Sequence, residues 1–409
     1  MLLSAALPAK EISIVCGTEG FEISFCESGA RRWAEQSGNT VRVIRAEKPS
    51  MSRFRELEQI LQIGAPDLDV IQLDITWAGP LSEHLLTLDD RLDDGLSQHI
   101  VPLRRLATLD DGIRAVPWYL SLGRLFYRKD LLSRHGENVP TSWVELEASA
   151  ARIQQAERSD GNAQIWGFVW QGRANEALTS NALEWFAGHG AGALIAPDGS
   201  PNVTTPGVLA ALRRATGWVG AISPPGVLEF GEDESLQMFN EGRAVYMRQW
   251  SSFHDATQAE DSKVKGLVGT TSIPDELEDR SIGGTLGGWM LGVSRYSREP
   301  ALAVELVRYL TGAEEQRRRA LEGGFSPTLL ALYEDEPLMR ERPRLAEVRD
   351  ELEHAVVRPS RESGRRYVAV SSAIAQAVHE VLSERAEAEP RLQQLKEQLE
   401  IIARGGSRW

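Results

Sequence analysis

The sequence predicts an α/β fold in two domains, and three observations lead to this prediction. At 409 residues, the chain exceeds the size, about 250–300 residues, at which one hydrophobic core stops growing. Strand patterns alternate with helix patterns from the beginning of the chain, as in βαβ units with a largely parallel sheet. The same alternation begins again near Gly123, which indicates a second α/β unit.

The first five elements are predicted from their hydrophobic periodicity. They are the strand 11–16, the helix 23–36, the strand 41–45, the amphipathic helix 53–63 and the strand 69–74. Parallel sheets bind their ligands at the carboxyl ends of strands. Because Glu22, Asp74 and Trp77 all fall at such ends, they are candidates for ligand contact.

The remaining chain is predicted in the same way, and its last ninety residues are expected to be mainly helical. The predicted strands are 123–128, 165–169, 244–247 and 285–293, and the predicted helices are 129–134, 143–157, 177–189, 206–221, 232–241, 300–311, 314–322 and 390–404. The charged run at residues 314–319 is interpreted as the solvated face of a helix.

Composition excludes several classes of partner. The formal net charge of −14 argues against a nucleic acid or an anionic membrane, since both attract Lys and Arg. No apolar run reaches the ~18 residues that a membrane span needs, so no direct membrane insertion is expected. Residues 1–9 resemble the end of a secretory signal with its small-residue cleavage zone, although the basic segment is missing. A tail without function is the alternative.

The sequence offers no recognisable catalytic, metal or cofactor motif. It contains no phosphate-binding loop, no Gly-x-Ser-x-Gly, no His-Glu-x-x-His and no Cys-x-x-Cys. The seven histidines are scattered without metal-type spacing, so neither cofactor nor metal is predicted. Cys16 and Cys26 would form a disulfide only if their Cα atoms came within about 7 Å; two buried thiols are the expectation.

Four of the eleven tryptophans stand at the ends of strand-like runs or beside glycine: Trp77, Trp118, Trp250 and Trp289. An indole face packs against the C–H face of a sugar ring, while nearby carboxylates and arginines bind the hydroxyls. This placement favours a carbohydrate site. The tryptophans inside helix or strand patterns are expected in the core; these are Trp33, Trp143, Trp166, Trp185 and Trp218.

Several motifs resemble a known family. The segment VPWYLSLGRLFYRKDLL at 116–132 is similar to the first interlobe crossing of periplasmic (extracellular) solute-binding proteins of carbohydrate ABC importers, family 1. The segments at 69–77, 166–172, 222–225 and 285–289 resemble the trehalose/maltose-binding branch. These blocks follow the family's order from about residue 11 to about residue 385, so the resemblance covers nearly the whole chain.

The resemblance implies the two-lobed periplasmic-binding-protein fold, in which each lobe is a mostly parallel sheet flanked by helices and hinge crossovers join the lobes. Residues 1–10 would be a residual targeting tail. Lobe 1 would contain residues 11–117 plus about 272–325, and lobe 2 residues 118–271 plus about 326–409. A sugar would bind in the interlobe cleft, and the lobes would close on it by hinge motion.

The resemblance also assigns ligand-binding roles to single residues. Acidic groups that accept sugar hydroxyls, aromatic walls, glycines that let the backbone approach the ligand and one arginine match these positions: Glu22, Asp74, Trp77, Tyr119, Trp250, Gly287, Gly288, Trp289 and Arg358. A polar loop at 48–50 is expected to add another contact. Ser121 stands where the family usually has Asp, and a hydroxyl cannot replace both acceptor oxygens of a carboxylate.

These residues imply a non-catalytic receptor for an α-linked disaccharide of the trehalose or maltose type. Its partners would be the transmembrane permease subunits of an ABC importer, and it would act as an extracytoplasmic monomer. A receptor for a modified or anionic sugar is an alternative, because of Ser121 and the nearby Arg124. A glycoside hydrolase using Glu22 and Asp74 is a further alternative, although two carboxyls from one sheet edge are poorly placed to flank a bond.

Overall fold

A computed structural model describes residues 9–18, 22–46, 50–277 and 282–404. The chain divides into two compact units. Unit 1 contains residues 1–120 and 288–343, and unit 2 contains residues 121–287 and 344–409. Of the proposed targeting tail, residues 1–8 lie outside the described residues. Within the described ranges, no helix is long and apolar enough to cross a membrane.

The strands and helices lie close to the predicted positions, and they are numbered in chain order. The strands are β1 (Glu11–Gly17), β2 (Thr40–Ala46), β3 (Val70–Asp74), β4 (Thr108–Leu109), β5 (Gly112–Ile113), β6 (Val116–Arg128), β7 (Trp166–Val169), β8 (Ala244–Trp250), β9 (Val268–Thr271) and β10 (Leu286–Val293). The helices are α1 (Glu22–Ser37), α2 (Ser50–Gln62), α3 (Val101–Ala107), α4 (Lys129–His135), α5 (Trp143–Ser159), α6 (Glu176–Gly188), α7 (Pro206–Trp218), α8 (Glu232–Asn240), α9 (Pro300–Thr311), α10 (Ala313–Gly323), α11 (Glu336–Glu341), α12 (Arg344–Glu351), α13 (Ser360–Ser363), α14 (Tyr367–Leu382) and α15 (Ala388–Arg404).

The sheet of unit 1 places the carboxyl ends of β1 and β3 at the same edge. β1 lies between β2 and β3 and is parallel to both. β10 then adds to the other side of β3 as an antiparallel strand, with Trp289 opposite Asp74. Since β3 is buried along its whole length, it fits a central strand of an α/β sheet.

The sheet of unit 2 is mixed. β8 is parallel to β7 and antiparallel to β6, and β9 pairs antiparallel with the other side of β6. The tryptophans Trp143, Trp170, Trp185 and Trp218 form one aromatic cluster beside this sheet, with centroid separations between 5.1 and 6.4 Å. Trp143, Trp185 and Trp218 are therefore core residues, as predicted, and Trp33 is buried in unit 1. Trp166 is only half-buried and lies against the Arg158 guanidinium, 4.4 Å from the ring centroid.

The borders between the units differ from the expected ones at the second and third crossings. Residues 282–287 stay in unit 2 because Gly283 N donates to His354 O at 2.9 Å and Leu286 N to Val356 O at 2.8 Å. Residues 326–343 stay in unit 1 because Leu330 N donates to Gln98 O at 3.0 Å. Single backbone hydrogen bonds of this kind leave no mark in a hydrophobic pattern.

Two further expectations are wrong. Cys16 and Cys26 form a disulfide between β1 and α1, with their Cα atoms 6.4 Å apart, rather than two free thiols. The charged run in α10 is not a solvated face, because Glu315, Gln316 and Arg319 are buried. Positions 315, 316 and 319 follow the i, i+1, i+4 spacing of one helix face, and in α10 this face points into the protein.

Candidate ligand-binding residues

In unit 1, the residues predicted to bind ligand gather around Glu22. Glu22 is the first residue of α1 and is buried, and the positive end of the helix dipole favours a carboxylate there. The Tyr119 hydroxyl donates to Glu22 Oε1, and Gln72 Nε2 donates to Glu22 Oε2 at 3.4 Å. Burial raises the pKa of Glu22, whereas the charge of Arg53, the hydrogen bonds from Tyr119 and Gln72, and the charge of Arg319 lower it.

Arg53, on α2, is a further member of this group that the sequence did not identify. Its guanidinium lies 4.0 Å from the ring centroid of Trp289. A Cβ atom on Gly17 would overlap both the Arg53 guanidinium and the Glu22 carboxylate, so the two charged groups meet over this glycine. The only feature of the sequence that could have pointed to Arg53 was its position just after the polar loop expected at 48–50. Residues 48 and 49 of that loop lie outside the described residues.

Asp74, Trp77 and Trp289 form the neighbouring part of the group. Asp74 Oδ1 accepts hydrogen bonds from Thr76 N at 2.9 Å and from Thr76 Oγ1 at 2.7 Å, which fixes the carboxylate at the end of β3. The Trp77 and Trp289 rings meet edge-to-face at 5.8 Å. Trp77 also contacts Phe54 at 5.4 Å and is 1% exposed, so it supports Trp289 as a core residue does.

Gly288 lets β10 approach the backbone of β6 within unit 1. Its φ is +134°, and a Cβ atom there would overlap Tyr119 O and lie 2.7 Å from Leu120 Cα. Gly288 O also accepts a hydrogen bond from Ile75 N at 3.2 Å. The structure thus brings six of the predicted residues together in unit 1; these are Glu22, Asp74, Trp77, Tyr119, Gly288 and Trp289.

In unit 2, the predicted group is built around Trp250 at the end of β8. The indole is half-buried and lies over the Arg248 guanidinium, 4.2 Å from the ring centroid. A Cβ atom on Gly287 would come within 2.7 Å of Trp250 Cζ3, so Gly287 makes room for the ring. Gly287 and Trp250 are therefore brought together in unit 2, and their contact with a ligand stays a prediction.

Glu232 is another residue beside Trp250 that the sequence did not single out. Trp250 Nε1 donates to Glu232 Oε1 at 3.3 Å. The side chain is the first of α8 and is half-buried, and its removal from water raises the pKa of the carboxyl group. Its place in the acidic segment 232–234 resembled an ordinary helix start, which is why the pattern carried no signal of a binding role.

The hydroxyl of Ser121 is engaged within unit 2. Ser121 Oγ lies 3.1 Å from Ser251 Oγ and 3.2 Å from Ser252 Oγ, and it accepts a hydrogen bond from Ser252 N at 3.2 Å. The side chain therefore anchors the turn that directly follows Trp250.

Arg358 belongs to a different buried network in unit 2. Its Nη1 donates to Glu176 Oε1 at 2.8 Å. Glu176 also accepts hydrogen bonds from the Tyr367 hydroxyl and from Ser371 Oγ. These contacts give Arg358 a structural function at the start of α6 and α14, and its predicted contact with a ligand stays a prediction.

Arg124, which suggested an anionic ligand, is already paired with acidic side chains of unit 2. Its side chain is 4% exposed, and its Nη2 and Nη1 atoms lie 2.7 Å from Glu347 Oε2 and 2.8 Å from Glu351 Oε1. Burial raises the pKa of Glu351, and the charge of Arg124 lowers it. The positive charge of Arg124 is therefore compensated inside the protein.

Metal-ligand side chains can be assessed only in the part of the chain that the structure describes. Within these ranges, no three His, Cys, Asp or Glu side chains are grouped as metal ligands. The two groups around Glu22 and Trp250 offer carboxylates, guanidinium groups and aromatic faces instead, which are the side chains that hold hydroxyls and flat apolar surfaces of a solute.

Two α/β units that each carry carboxylates, a guanidinium group and an aromatic face are typical of a solute-binding protein. The chain belongs to the family of bacterial extracellular solute-binding proteins, whose model matches residues 27–317. The resemblance drawn from the motifs is therefore confirmed. A protein of Deinococcus radiodurans named as a probable ABC transporter-binding protein is 35% identical over 396 residues, covering 96% of this chain and 94% of that protein.

Solved structures confirm the two-lobed fold class. The maltose-bound MalE3 of T. maritima superposes with a TM-score of 0.89 at 29% identity, covering 96% of this chain and 100% of that chain. A mannitol-binding protein of Pseudomonas aeruginosa is 25% identical over 242 residues, or 58% of this chain and 52% of that protein. These relatives are named for solute binding and ABC transport, and two of the names specify a sugar or a polyol.

Proposed function

We propose that the chain is the substrate-binding receptor of an ABC sugar importer and that it takes a neutral α-linked disaccharide of the maltose or trehalose type. The observation that carries the proposal is the group around Glu22, where a buried carboxylate lies beside Tyr119, Arg53 and the Trp289 ring. A carboxylate accepts the strong hydrogen bonds that sugar hydroxyls donate. The ring offers the apolar face that a pyranose needs.

Unit 2 offers Trp250 as an aromatic face and Glu232 as a carboxylate of its own. Each stacked face adds about 1 kcal/mol, and each charge-assisted hydrogen bond adds about 1.5–3 kcal/mol. A micromolar affinity corresponds to roughly 8 kcal/mol, so two faces and several such bonds suffice after the cost of association. The pairing of Arg124 with two glutamates weakens one of the two reasons, Ser121 and Arg124, to expect an anionic sugar.

The maltose-bound relative supports an α-linked disaccharide, and the mannitol-binding relative makes polyols the first comparison ligands. We would screen the purified protein by thermal shift and calorimetry against maltose, trehalose, sucrose, glucose, mannitol and glucose 6-phosphate. Stabilisation confined to maltose or trehalose supports the proposal. Binding only of mannitol or of the phosphate ester would show a retuned site, and no binding of any compound would refute the receptor function.

Matched variants make this screen specific to the proposed residues. Trp250→Ala should weaken binding about fivefold, because one stacked face worth about 1 kcal/mol is lost. Trp166→Ala is its control, since Trp166 is also half-buried in unit 2 but contacts Arg158. Glu22→Gln should likewise weaken binding, whereas Glu27→Gln on the same helix, which pairs with Arg45, should not. Release of glucose from maltose by the pure protein would favour the hydrolase.

The proposed setting is extracytoplasmic, with permease subunits as partners and a monomeric receptor. The Cys16–Cys26 disulfide supports this setting, because disulfides persist in oxidising compartments and are rare in the cytosol. Thiol titration of protein isolated from the native cell under denaturing, non-reducing conditions should find no free thiol. Two free thiols per chain would contradict an oxidising location, and sedimentation of the liganded protein tests the monomer.

A further inference from the structure

Helix α10 places the guanidinium of Arg319 against the ring of Tyr119, whose hydroxyl donates to Glu22. On its buried face, Glu315 pairs with Arg32 at 2.6 Å, and the Gln316 side chain accepts a hydrogen bond from Thr328 N at 2.7 Å. Both groups therefore serve the packing of unit 1. Arg319, on the same face and 2% exposed, has a different environment.

The Arg319 guanidinium lies in a cage of three aromatic rings. Its central carbon is 3.8 Å from the ring centroid of Trp118, 4.6 Å from that of Tyr119 and 4.8 Å from that of Phe325. Among the residues that the structure describes, its three nitrogen atoms have no hydrogen-bond partner. Burial lowers the pKa of Arg319 to about 10, against the opposing effect of nearby acidic groups that include Glu22, so the side chain is still a cation at neutral pH.

A buried cation without hydrogen bonds is costly to a fold, and packing alone would be served better by an apolar side chain. The cage instead links Arg319 to the proposed binding group, since one wall is the ring of Tyr119, whose hydroxyl donates to Glu22. Within the described ranges, the charged or titratable groups that act on Glu22 include Arg53 from α2, Tyr119 from β6 and Arg319 from α10. Among the residues that the structure describes, Arg53 and Arg319 thus supply the positive charges that lower the pKa of Glu22.

We propose that Arg319 is a positioning residue for the Glu22–Tyr119 pair. By stacking on the Tyr119 ring, it holds the phenol in the orientation that donates to Glu22. Its charge keeps Glu22 in the carboxylate form that accepts the hydroxyls of a bound solute. The inference rests on the proposed function, because it assigns Arg319 to the same binding group without any contact between Arg319 and the ligand.

The sign of the expected pH effect follows from these charges. Burial raises the pKa of Glu22, and Arg53 and Arg319 hold it down. Loss of the Arg319 charge therefore raises the pKa further. Because a protonated carboxyl is a poorer acceptor, solute affinity should fall on acidification, and the midpoint of this fall should move to higher pH in a neutral variant.

The test compares the pH profile of maltose affinity, or that of the tightest ligand in the screen, between the wild type and Arg319→Met. Calorimetry from acidic to neutral pH follows the affinity as the carboxyl group loses its proton. The neutral variant should bind more weakly at the acidic end, with its midpoint shifted upward. Arg319→Lys, which keeps the charge, should keep the wild-type midpoint. Arg318→Met is the matched control, since Arg318 pairs with Glu314 and Glu315.

A second neutral variant, Arg319→Gln, covers the case in which Arg319→Met does not fold. In a Glu22→Gln background the midpoint should vanish, and Arg319→Met should then leave the profile unchanged. An equal loss of affinity at every pH would overturn the proposal, because it would assign Arg319 to packing alone. If the wild type binds none of the solutes, the proposed function is overturned together with this inference. If the wild type binds normally and the pH profile of Arg319→Met is the same as that of the wild type, only this inference is overturned.

Discussion

Removing one member of the buried Arg248–Glu184 ion pair is expected to destabilise unit 2 more than removing both. The guanidinium of Arg248 donates to both oxygens of Glu184, at 2.9 Å from Nε and 2.5 Å from Nη2. Both side chains are at most 1% exposed. Glu184 Oε1 also accepts a hydrogen bond from Thr285 N at 3.0 Å, so the pair connects β8, α6 and the segment before β10.

The magnitude follows from the charge that each variant leaves behind. Arg248→Met leaves the Glu184 carboxylate buried without its cation, and the breaking of such a pair costs about 3–5 kcal/mol. Glu184→Leu leaves the guanidinium buried alone at a similar cost. The double variant leaves no buried charge, and replacement of a whole pair by apolar side chains is often neutral or stabilising. Its cost should therefore be at least about 3 kcal/mol below the sum of the single effects.

The assay is denaturant unfolding of the wild type, both single variants and the double variant, followed by circular dichroism. Trp250 stacks on Arg248, so indole fluorescence in the folded state reports the loss of the guanidinium independently. Additive losses from the two single variants would refute the reasoning, since they would show that the groups do not depend on each other. Small single losses, below about 1 kcal/mol as for exposed pairs, would refute it as well.

Three further predictions concern unit 1. Burial lowers the pKa of His99 to about 4, so on acidification the unfolded chain takes up a proton at this histidine before the folded protein does. The free energy of unfolding should therefore fall by roughly 3 kcal/mol between about pH 6.5 and pH 4. His99→Gln should flatten this part of a profile of the urea midpoint against pH. Replacing Cys16 and Cys26 by Ala should cost about 2–4 kcal/mol, and reductant should then have no effect on the melting temperature. Gly288→Ala should cost about 1–3 kcal/mol in thermal unfolding, because its Cβ meets Tyr119 O and its φ is +134°.

The sequence predicted the elements of the fold well because their periodicity is strong. The strand expected at 69–74 is β3 at Val70–Asp74, and the helix expected at 143–157 is α5 at Trp143–Ser159. The division of residues 272–287 and 326–343 between the units was not predictable in this way. A few backbone hydrogen bonds decide it, and such bonds join segments far apart in sequence.

The candidate site was predictable where a motif fixes a position at the end of a strand. Asp74, Trp250 and the glycines 287 and 288 are of this kind, since β3, β8 and β10 carry them. Arg53, Glu232 and Arg319 were missed because each lies on a helix whose charged residues suggest a solvated surface. Only the packing of the helix shows which of its charges turns inward.

The order of the segments along the chain has a consequence for synthesis. β3 ends at Asp74, but its antiparallel neighbour β10 begins only at Leu286, after most of unit 2. At about 5–20 residues per second, a ribosome needs on the order of 10–40 s to make the intervening chain. During this interval β3, which is buried along its whole length in the folded protein, has one edge without its partner strand, which exposes it to pairing with other chains. The nascent chain should therefore be a substrate for holding chaperones until β10 emerges.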